Sequence, residues 1–258
     1  MTAISNAKLA ARRILGEQNY AQLRDTAIQL LQRRQDLTVE DVLQLHGREV
    51  AVALSVGVQY AYNTFIEGDI VEFGTATGAT ARAIARAMLA AETARPKKQL
   101  HLFDSFIGLP EATSEVDKAS YEVRTGIWAP GTCRLLSKDQ LFDCCSQIIG
   151  PERVIMHEGW FSDTVVKLSP SQKFAFVHFD GDLYQSTIDA IGGLLKLGAI
   201  SNGAIICFDD WNCSQADPNV GERRAWRELV EQYQIEFSDF RSYSTMGRGF
   251  FIHQYRRG

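Results

Sequence analysis

Two pairs of aspartates follow apolar segments of the chain and have spacings that suit metal chemistry. Asp180 and Asp182 follow the apolar run 174–179, and Asp209 and Asp210 follow a second run of this kind. Such runs predict buried parallel strands, whose carboxyl ends form the ligand-binding edge of an α/β sheet. Four carboxylates gathered at one edge would repel each other unless a cation neutralised them. We therefore predict a metal site.

The ligand types narrow both the metal and the reaction. Oxygen ligands without histidine or cysteine favour Mg²⁺, Ca²⁺ or Mn²⁺ over zinc. An ion held in this way can activate a hydroxyl, and chelation by two acceptor oxygens suits a vicinal diol or a catechol. Asp182, just beyond Gly181, can approach a reacting hydroxyl without being a ligand. The alternative is that the aspartates cap helices starting near residues 183 and 211, which accounts for one acid per helix rather than two.

A cofactor site is predicted where the first two strands end. Gly74 would permit a tight turn, and Gly78 would allow a ligand to approach the start of the next helix. Ala76 replaces the second glycine of a dinucleotide-binding turn, and Glu72 suits an anionic diphosphate poorly, so an adenosyl group is favoured. Asp104, after the second strand, is placed to accept hydrogen bonds from ribose hydroxyls. Without a ligand, these residues would form a structural turn and a solvated loop.

The elements that position these residues predict an α/β fold with a doubly wound sheet of about seven strands. Runs with strand character alternate with helical patterns, and two short runs close the chain. The predicted strands are 69–73, 100–103, 153–157, 174–179, 204–208, 235–240 and 249–253.

Two further segments lie outside this alternation. Residues 5–66 place apolar side chains at helical spacing, which predicts an N-terminal helical extension (1–66) before a catalytic domain (67–258). The extension could pack on the sheet, cover the active site or form an oligomer interface. Residues 105–150 contain several proline and glycine breakers, and we expect a helix plus an active-site insertion there.

Composition limits the partners of the chain. The 258 residues carry a formal net charge of −4, which argues against nucleic acid or an anionic membrane as the main partner. Five cysteines without C-x-x-C spacing indicate neither a disulfide framework nor a zinc site, and they fit a cytoplasmic location. No apolar run approaches the roughly 18 residues that span a bilayer. A small-molecule acceptor is therefore expected.

Several segments carry a family resemblance. The sequence E-F-G-T-A-T-G at 72–78 resembles motif I of class I S-adenosylmethionine-dependent methyltransferases. More narrowly, the chain resembles the macrocin O-methyltransferase (TylF/MycF-like) family, which methylates sugar hydroxyls of natural products. The D-G-D-x-Y-x-S-T pattern is the most specific match. The segments that carry this narrower resemblance are 103–110, 158–164, 180–187 and 208–211.

The resemblance implies a class I methyltransferase Rossmann-like fold, S-adenosylmethionine as cofactor, Mg²⁺ (or Mn²⁺) as metal, and a homo-oligomer. It assigns Asp180, Asp209 and Asp210 as metal ligands and Asp182 as the general base. The predicted cofactor-binding residues are Glu72, Gly74, Thr75, Gly78, Asp104 and Ser105, with Gly159, Trp160 and Phe161 near the adenine.

The predicted function is a metal-dependent O-methyltransferase that acts on a hydroxyl of a sugar or sugar-like natural product. The alternatives are a catechol-type phenol O-methyltransferase, an Asp-cluster metal phosphohydrolase, and a nucleotide-binding module without catalysis. Two departures from the family pattern, His178 in place of Arg and Trp211 in place of Tyr, leave the acceptor open. His178 would either line the pocket or form hydrogen bonds within the core.

Overall fold

A computed structural model of the chain describes residues 39–92 and 96–257. The chain divides into two compact units, Met1–Leu45 and His46–Gly258, and the second contains the sheet. Helix α1 (Val39–Asn63) crosses this division. The helices predicted within 5–38 lie outside the described residues, and the domain boundary after residue 66 stays a prediction.

The core of the second unit is a seven-stranded sheet with the order β3-β2-β1-β4-β5-β7-β6. Strands β1 to β5 pair in parallel, and β7 and β6 complete the sheet as antiparallel strands. The predicted doubly wound α/β fold is confirmed. The strands are β1 Asp69–Phe73, β2 Leu100–Asp104, β3 Val154–Glu158, β4 Phe174–Phe179, β5 Ile200–Phe208, β6 Glu236–Tyr243 and β7 Gly247–Gln254.

Helices cover the sheet and create two apolar cores. One core contains residues of α1, α2 and α5, and the other contains residues of α8 and α9. Phe176 packs in the first core and Val177 in the second, because successive side chains of a strand point to opposite faces. The helices after α1 are α2 Ala79–Ala91, α3 Glu115–Ala119, α4 Tyr121–Thr125, α5 Lys138–Ile149, α6 Phe161–Thr164, α7 Tyr184–Thr187, α8 Gly193–Leu197 and α9 Gly221–Tyr233.

Some boundaries differ from the sequence prediction. The predicted 105–150 insertion contains three helices, because Ser114, Ser120 and Ser137 each supply an N-cap that starts a new one. The helical segment after β4 is interrupted by a π-helical turn at Ile188–Gly192, between α7 and α8. None of the described helices is both long enough and apolar enough to cross a bilayer.

Helix α1 lies close to the sheet because Gly57 is small. A Cβ atom built on this buried residue would overlap the ring of Phe176 in β4. Gly47 lies on a different face of the same helix and is exposed. No described atom lies near the position of a Cβ added to it. A substitution at Gly47 therefore tests helix propensity alone, whereas a substitution at Gly57 also tests the packing of α1 against β4.

We expect Gly57→Ala and Gly47→Ala to change stability in opposite directions. Alanine gains about 1 kcal/mol over glycine in a helix interior, so Gly47→Ala should raise the free energy of unfolding. At Gly57 the overlap should cost about 1–3 kcal/mol and outweigh that gain. Urea denaturation of both variants measures the effect. Stabilisation by both substitutions would contradict the close packing of α1 on β4.

Candidate active site

Most of the predicted site residues meet in one cavity at the carboxyl ends of the parallel strands. The cavity has a volume of about 610 Å³ and extends under the insertion between β2 and β3. Its lining includes most of the predicted cofactor-binding residues and two of the four aspartates. These are Gly74, Thr75, Asp104, Ser105, Gly159, Trp160, Phe161, Asp180 and Asp182.

The turn after β1 depends on a glycine and on a cross-strand carboxylate. Gly74 has a φ of +78°, and a Cβ atom there would overlap the backbone carbonyl of Asp180. Thr75 donates from its backbone N (2.8 Å) and from its Oγ1 (2.7 Å) to Oδ2 of Asp104. The backbone N of Phe106 donates to Oδ1 of the same carboxylate at 2.7 Å. Asp104 therefore joins the ends of β1 and β2 at the cavity wall.

These bonds limit what Asp104 can offer a ligand. A carboxylate has about four lone-pair sites, and three are used by protein donors. The expected role in binding ribose stays a prediction, with one acceptor site remaining. Ser105 is similarly engaged, since its Oγ donates to the carbonyl of Gly108 (2.8 Å).

Two predicted cofactor-binding residues lie outside the cavity lining. Glu72 is fully buried, and its Oε1 lies 2.8 Å from Nδ1 of His178. The strand register explains this placement, because Glu72 of β1 stands beside His178 of β4. The structure therefore places Glu72 in the core, and its predicted part in cofactor binding stays a prediction. Gly78 precedes α2, where a Cβ atom would meet the side chains of Leu136 and Leu141.

The four aspartates separate into a cluster of three and a single residue. Carboxylate oxygens of Asp180, Asp182 and Asp210 all lie within 4.8 Å of one another. Asp209 instead has Oδ1 at 3.7 Å from Nε2 of His178, which is ion-pair range but longer than a hydrogen bond. The prediction grouped Asp209 with Asp180 and Asp210 and kept Asp182 apart. The geometry instead groups Asp182 with Asp180 and Asp210, and the roles predicted for Asp182 and Asp209 stay predictions.

Burial and mutual repulsion dominate the electrostatics of the cluster. Burial, followed by the charges of neighbouring aspartates, raises the pKa of Asp180, Asp182 and Asp210 well above the usual carboxyl range. Burial alone would lower the pKa of His178, but the carboxylates of Asp209 and Glu72 raise it to about 10. His178 is therefore a buried cation beside the cluster and belongs to the core.

Sequence reasoning missed a fifth acid, Glu222. Its buried side chain accepts a hydrogen bond from the backbone N of Asp210 at 3.1 Å, and burial followed by the charge of Asp210 raises its pKa well above the usual range. Oδ2 of Asp210 and Oε1 of Glu222 are buried without a hydrogen-bond partner among the described residues. An acid in the first turn of α9, just after the loop that follows β5, was the available clue.

The family model described as Macrocin-O-methyltransferase (TylF) matches residues 17–237. The chain belongs to this family. Two relatives share part of its sequence. One is an 8-demethyl-8-(2,3-dimethoxy-alpha-L-rhamnosyl)-tetracenomycin-C 4'-O-methyltransferase of Streptomyces olivaceus, 29% identical over 60% of this chain and 58% of the relative. The other is a demethyldecarbamoylnovobiocin O-methyltransferase of Streptomyces niveus, 27% identical over 65% of this chain and 62% of the relative.

The matches to these two relatives thus span about three fifths of their lengths. Solved structures agree in fold. The O-methyltransferase NovP is 21% identical, with a TM-score of 0.66 over 82% of this chain and 88% of NovP. The calicheamicin methyltransferase CalS11 is 20% identical, with a TM-score of 0.61 over 83% and 80% of the two chains.

Neutralising one clustered acid should stabilise the metal-free protein. Because burial raises the pKa of Asp210 in the folded state, the folded protein binds more protons, and stability falls as pH rises above the ordinary carboxyl range. In EDTA at pH 8, Asp210→Asn should raise the Tm by a few degrees, since about 1 kcal/mol shifts a domain of this size by about 2–4 °C. The gain should shrink as pH falls towards 5.

Asp143→Asn serves as the control, because it removes an exposed carboxylate from α5. Thermal melts of the wild type and both variants across the pH series measure the effect. A Tm of Asp210→Asn below that of the wild type at pH 8 would contradict repulsion within the cluster.

Proposed function

We propose that the protein is an S-adenosylmethionine-dependent O-methyltransferase that methylates a hydroxyl of a sugar or sugar-like natural product. The observation that carries this proposal is a single cavity that contains both the Gly74 turn and the carboxylates of Asp180 and Asp182. A methyl donor held at the turn and an acceptor held at the acids would then share one enclosed space. Membership of the macrocin-O-methyltransferase family supports the same reaction.

The charge of the cavity suits a sulfonium cofactor and an uncharged acceptor. Among the described lining residues there are six acids and no lysine, arginine or histidine. A positive sulfonium is attracted to such a site, whereas the diphosphate of NAD or a phosphate monoester is repelled. This repulsion disfavours the phosphohydrolase alternative. The charged lining residues are Asp104, Glu111, Asp117, Asp180, Asp182 and Asp189.

The acid cluster fits a hard divalent cation. Buried carboxylate oxygens in close proximity are the ligands that Mg²⁺ and Mn²⁺ prefer, and Oδ2 of Asp210 lacks another described partner. Asp180 and Asp210, which belong to both the predicted ligand set and the observed cluster, would hold the ion, and Asp209 completes the predicted set. A bound ion would orient acceptor oxygens and lower the pKa of the reacting hydroxyl.

Asp182 is the proposed general base. It would accept the hydroxyl proton as the acceptor oxygen bonds to the methyl carbon and the carbon–sulfur bond breaks, which leaves S-adenosylhomocysteine. Burial, together with the charges of Asp180 and Asp209, raises the pKa of Asp182 well above the usual range and so increases its basicity. A catechol would fit the same chemistry, and acceptor profiling separates it from a sugar diol. We also expect a cytoplasmic homo-oligomer with the extension 1–66 and the methyltransferase domain 67–258.

Gly74→Ala should weaken the binding of S-adenosylhomocysteine by about 1–3 kcal/mol, or roughly 5–150-fold, because the overlap with the carbonyl of Asp180 must displace the turn. Gly126→Ala is the matched control. Gly126 has a similar φ of +79°, but no described atom lies near an added Cβ. Isothermal titration calorimetry measures both. Equal affinities of the two variants for S-adenosylhomocysteine would show that the cofactor does not bind at the turn after β1.

Asp182→Asn and Asp210→Asn should both lower the rate of methyl transfer, but for different reasons. EDTA should abolish turnover of the wild type, and Mg²⁺ or Mn²⁺ should restore it. Excess Mg²⁺ should recover part of the rate of Asp210→Asn, because its defect is metal affinity. For Asp182→Asn, kcat should fall about 10²–10⁴-fold without recovery, because an amide is a negligible base. The measurement is kcat and KM across a Mg²⁺ series. Recovery of Asp182→Asn by Mg²⁺ would instead make Asp182 a ligand.

A further inference from the structure

Asp182 stands in a backbone conformation that its neighbours must maintain. Its φ is +61°, and the backbone N of Leu183 donates to the carbonyl of Gly181 at 2.6 Å, which closes a three-residue turn around it. A non-glycine residue in this region costs of the order of 1–3 kcal/mol and persists only where the surrounding structure holds it. The question is therefore which contacts hold residues 181–183.

One such contact comes from the insertion, 67 residues earlier in the chain. The Asp117 carboxylate accepts hydrogen bonds from the backbone N of Tyr184 (Oδ1, 2.7 Å) and from the backbone N of Gln185 (Oδ2, 3.2 Å). These are the first two amides of α7, which have no acceptor within the helix. Leu183, at the N-cap position, supplies no side-chain bond, so Asp117 replaces a local cap.

Asp117 is itself fixed in place. It is only 1% exposed, and Oγ of Ser114 donates to its Oδ2 at 2.7 Å. The backbone N of Asp117 in turn donates to Oγ of Ser114 at 3.0 Å. A buried carboxylate with three donors is an anchor of defined geometry, since the loss of any partner would leave buried polar groups unpaired. The end of the Asp182 turn is thus attached to a rigid point.

We propose that Asp117 is a positioning residue for methyl transfer: its carboxylate holds the start of α7 and thereby keeps Asp182 in its turn at the cavity wall. This inference rests on the proposed function, in which Asp182 removes the hydroxyl proton. Asp117 acts through the backbone of residues 183–185. Its removal should displace the base without removing it.

The test compares Asp117→Ala, Asp117→Asn and Ser137→Ala. Ser137 caps α5 by accepting from the backbone N of Gln140 and does not line the main cavity, so its loss is a matched cap deletion. Asp117→Ala should lower kcat about 10–10²-fold, with KM and the affinity for S-adenosylhomocysteine changed less than about twofold. Asp117→Asn retains one acceptor oxygen and should recover part of kcat. Ser137→Ala should lose stability but keep kcat.

Hydrogen exchange of the ligand-free protein gives a readout that does not depend on activity. The amides of Tyr184 and Gln185 should exchange at least about tenfold faster in Asp117→Ala than in the wild type, because they lose their acceptor. In Ser137→Ala their exchange should be unchanged. If Asp117→Ala fails to fold, the smaller kcat loss and faster exchange of Asp117→Asn carry the test.

Three outcomes would overturn the inference. They are an unchanged kcat in Asp117→Ala, an equal loss of kcat in Ser137→Ala, and a defect confined to KM, which would make Asp117 a binding residue. An inactive wild type would refute the proposed function instead. In that case unchanged exchange at residues 184 and 185 in Asp117→Ala would also overturn the positioning role, and faster exchange would support it.

Discussion

The concentration of negative charge at one edge of a buried sheet is the constraint on which the rest of the structure depends. Carboxylate oxygens of Asp180, Asp182 and Asp210 lie within 4.8 Å of one another, and Glu222 accepts a hydrogen bond from the backbone N of Asp210. Removal of carboxylates from water is costly unless a positive partner is present. The fold supplies one such partner, His178, on the Asp209 side of the cluster. In the proposed function, the remaining charge would favour a sulfonium cofactor and an uncharged acceptor.

The insertion between β2 and β3 ties together the two loops that carry these acids. Asp117 binds the start of the helix after β4, and Glu122 binds the loop after β5 through the backbone N of Ser214 (2.8 Å) and its hydroxyl. The segment Ser214–Ala216 has positive φ at each residue, a conformation that side chains seldom adopt without external support. The insertion therefore acts as a scaffold for the loops that carry the aspartates as well as a wall of the cavity.

The sequence predicted the central strands of the sheet well because they are largely buried on both faces. The bounds of β1 and β4 agree with the predicted ones, since a buried run ends clearly in each case. The partition of the aspartates could not be predicted in this way. It depends on the positive φ of Asp182 and on the register that brings His178 beside Glu72, and neither leaves a mark on local periodicity.

The same dependence on tertiary structure explains which of the predicted cofactor-binding residues line the cavity. Gly74, Thr75, Asp104 and Gly159 were placed on the cavity because strand ends in this fold share one edge. The burial of Glu72 away from the cavity lining could not be predicted, because a residue inside a strand has two possible faces and adjacency to a motif does not choose between them.

The bonds from Thr75 and Phe106 to Asp104 have a thermodynamic consequence. They order this part of the cavity wall before any ligand binds, because the donors and the acceptor all come from the protein. When a ligand binds to a wall that is already ordered, the protein loses little conformational entropy. More of the interaction free energy then contributes to affinity. The same rigidity limits adaptation. This wall should admit close analogues of its ligand and reject those that require the loop to open.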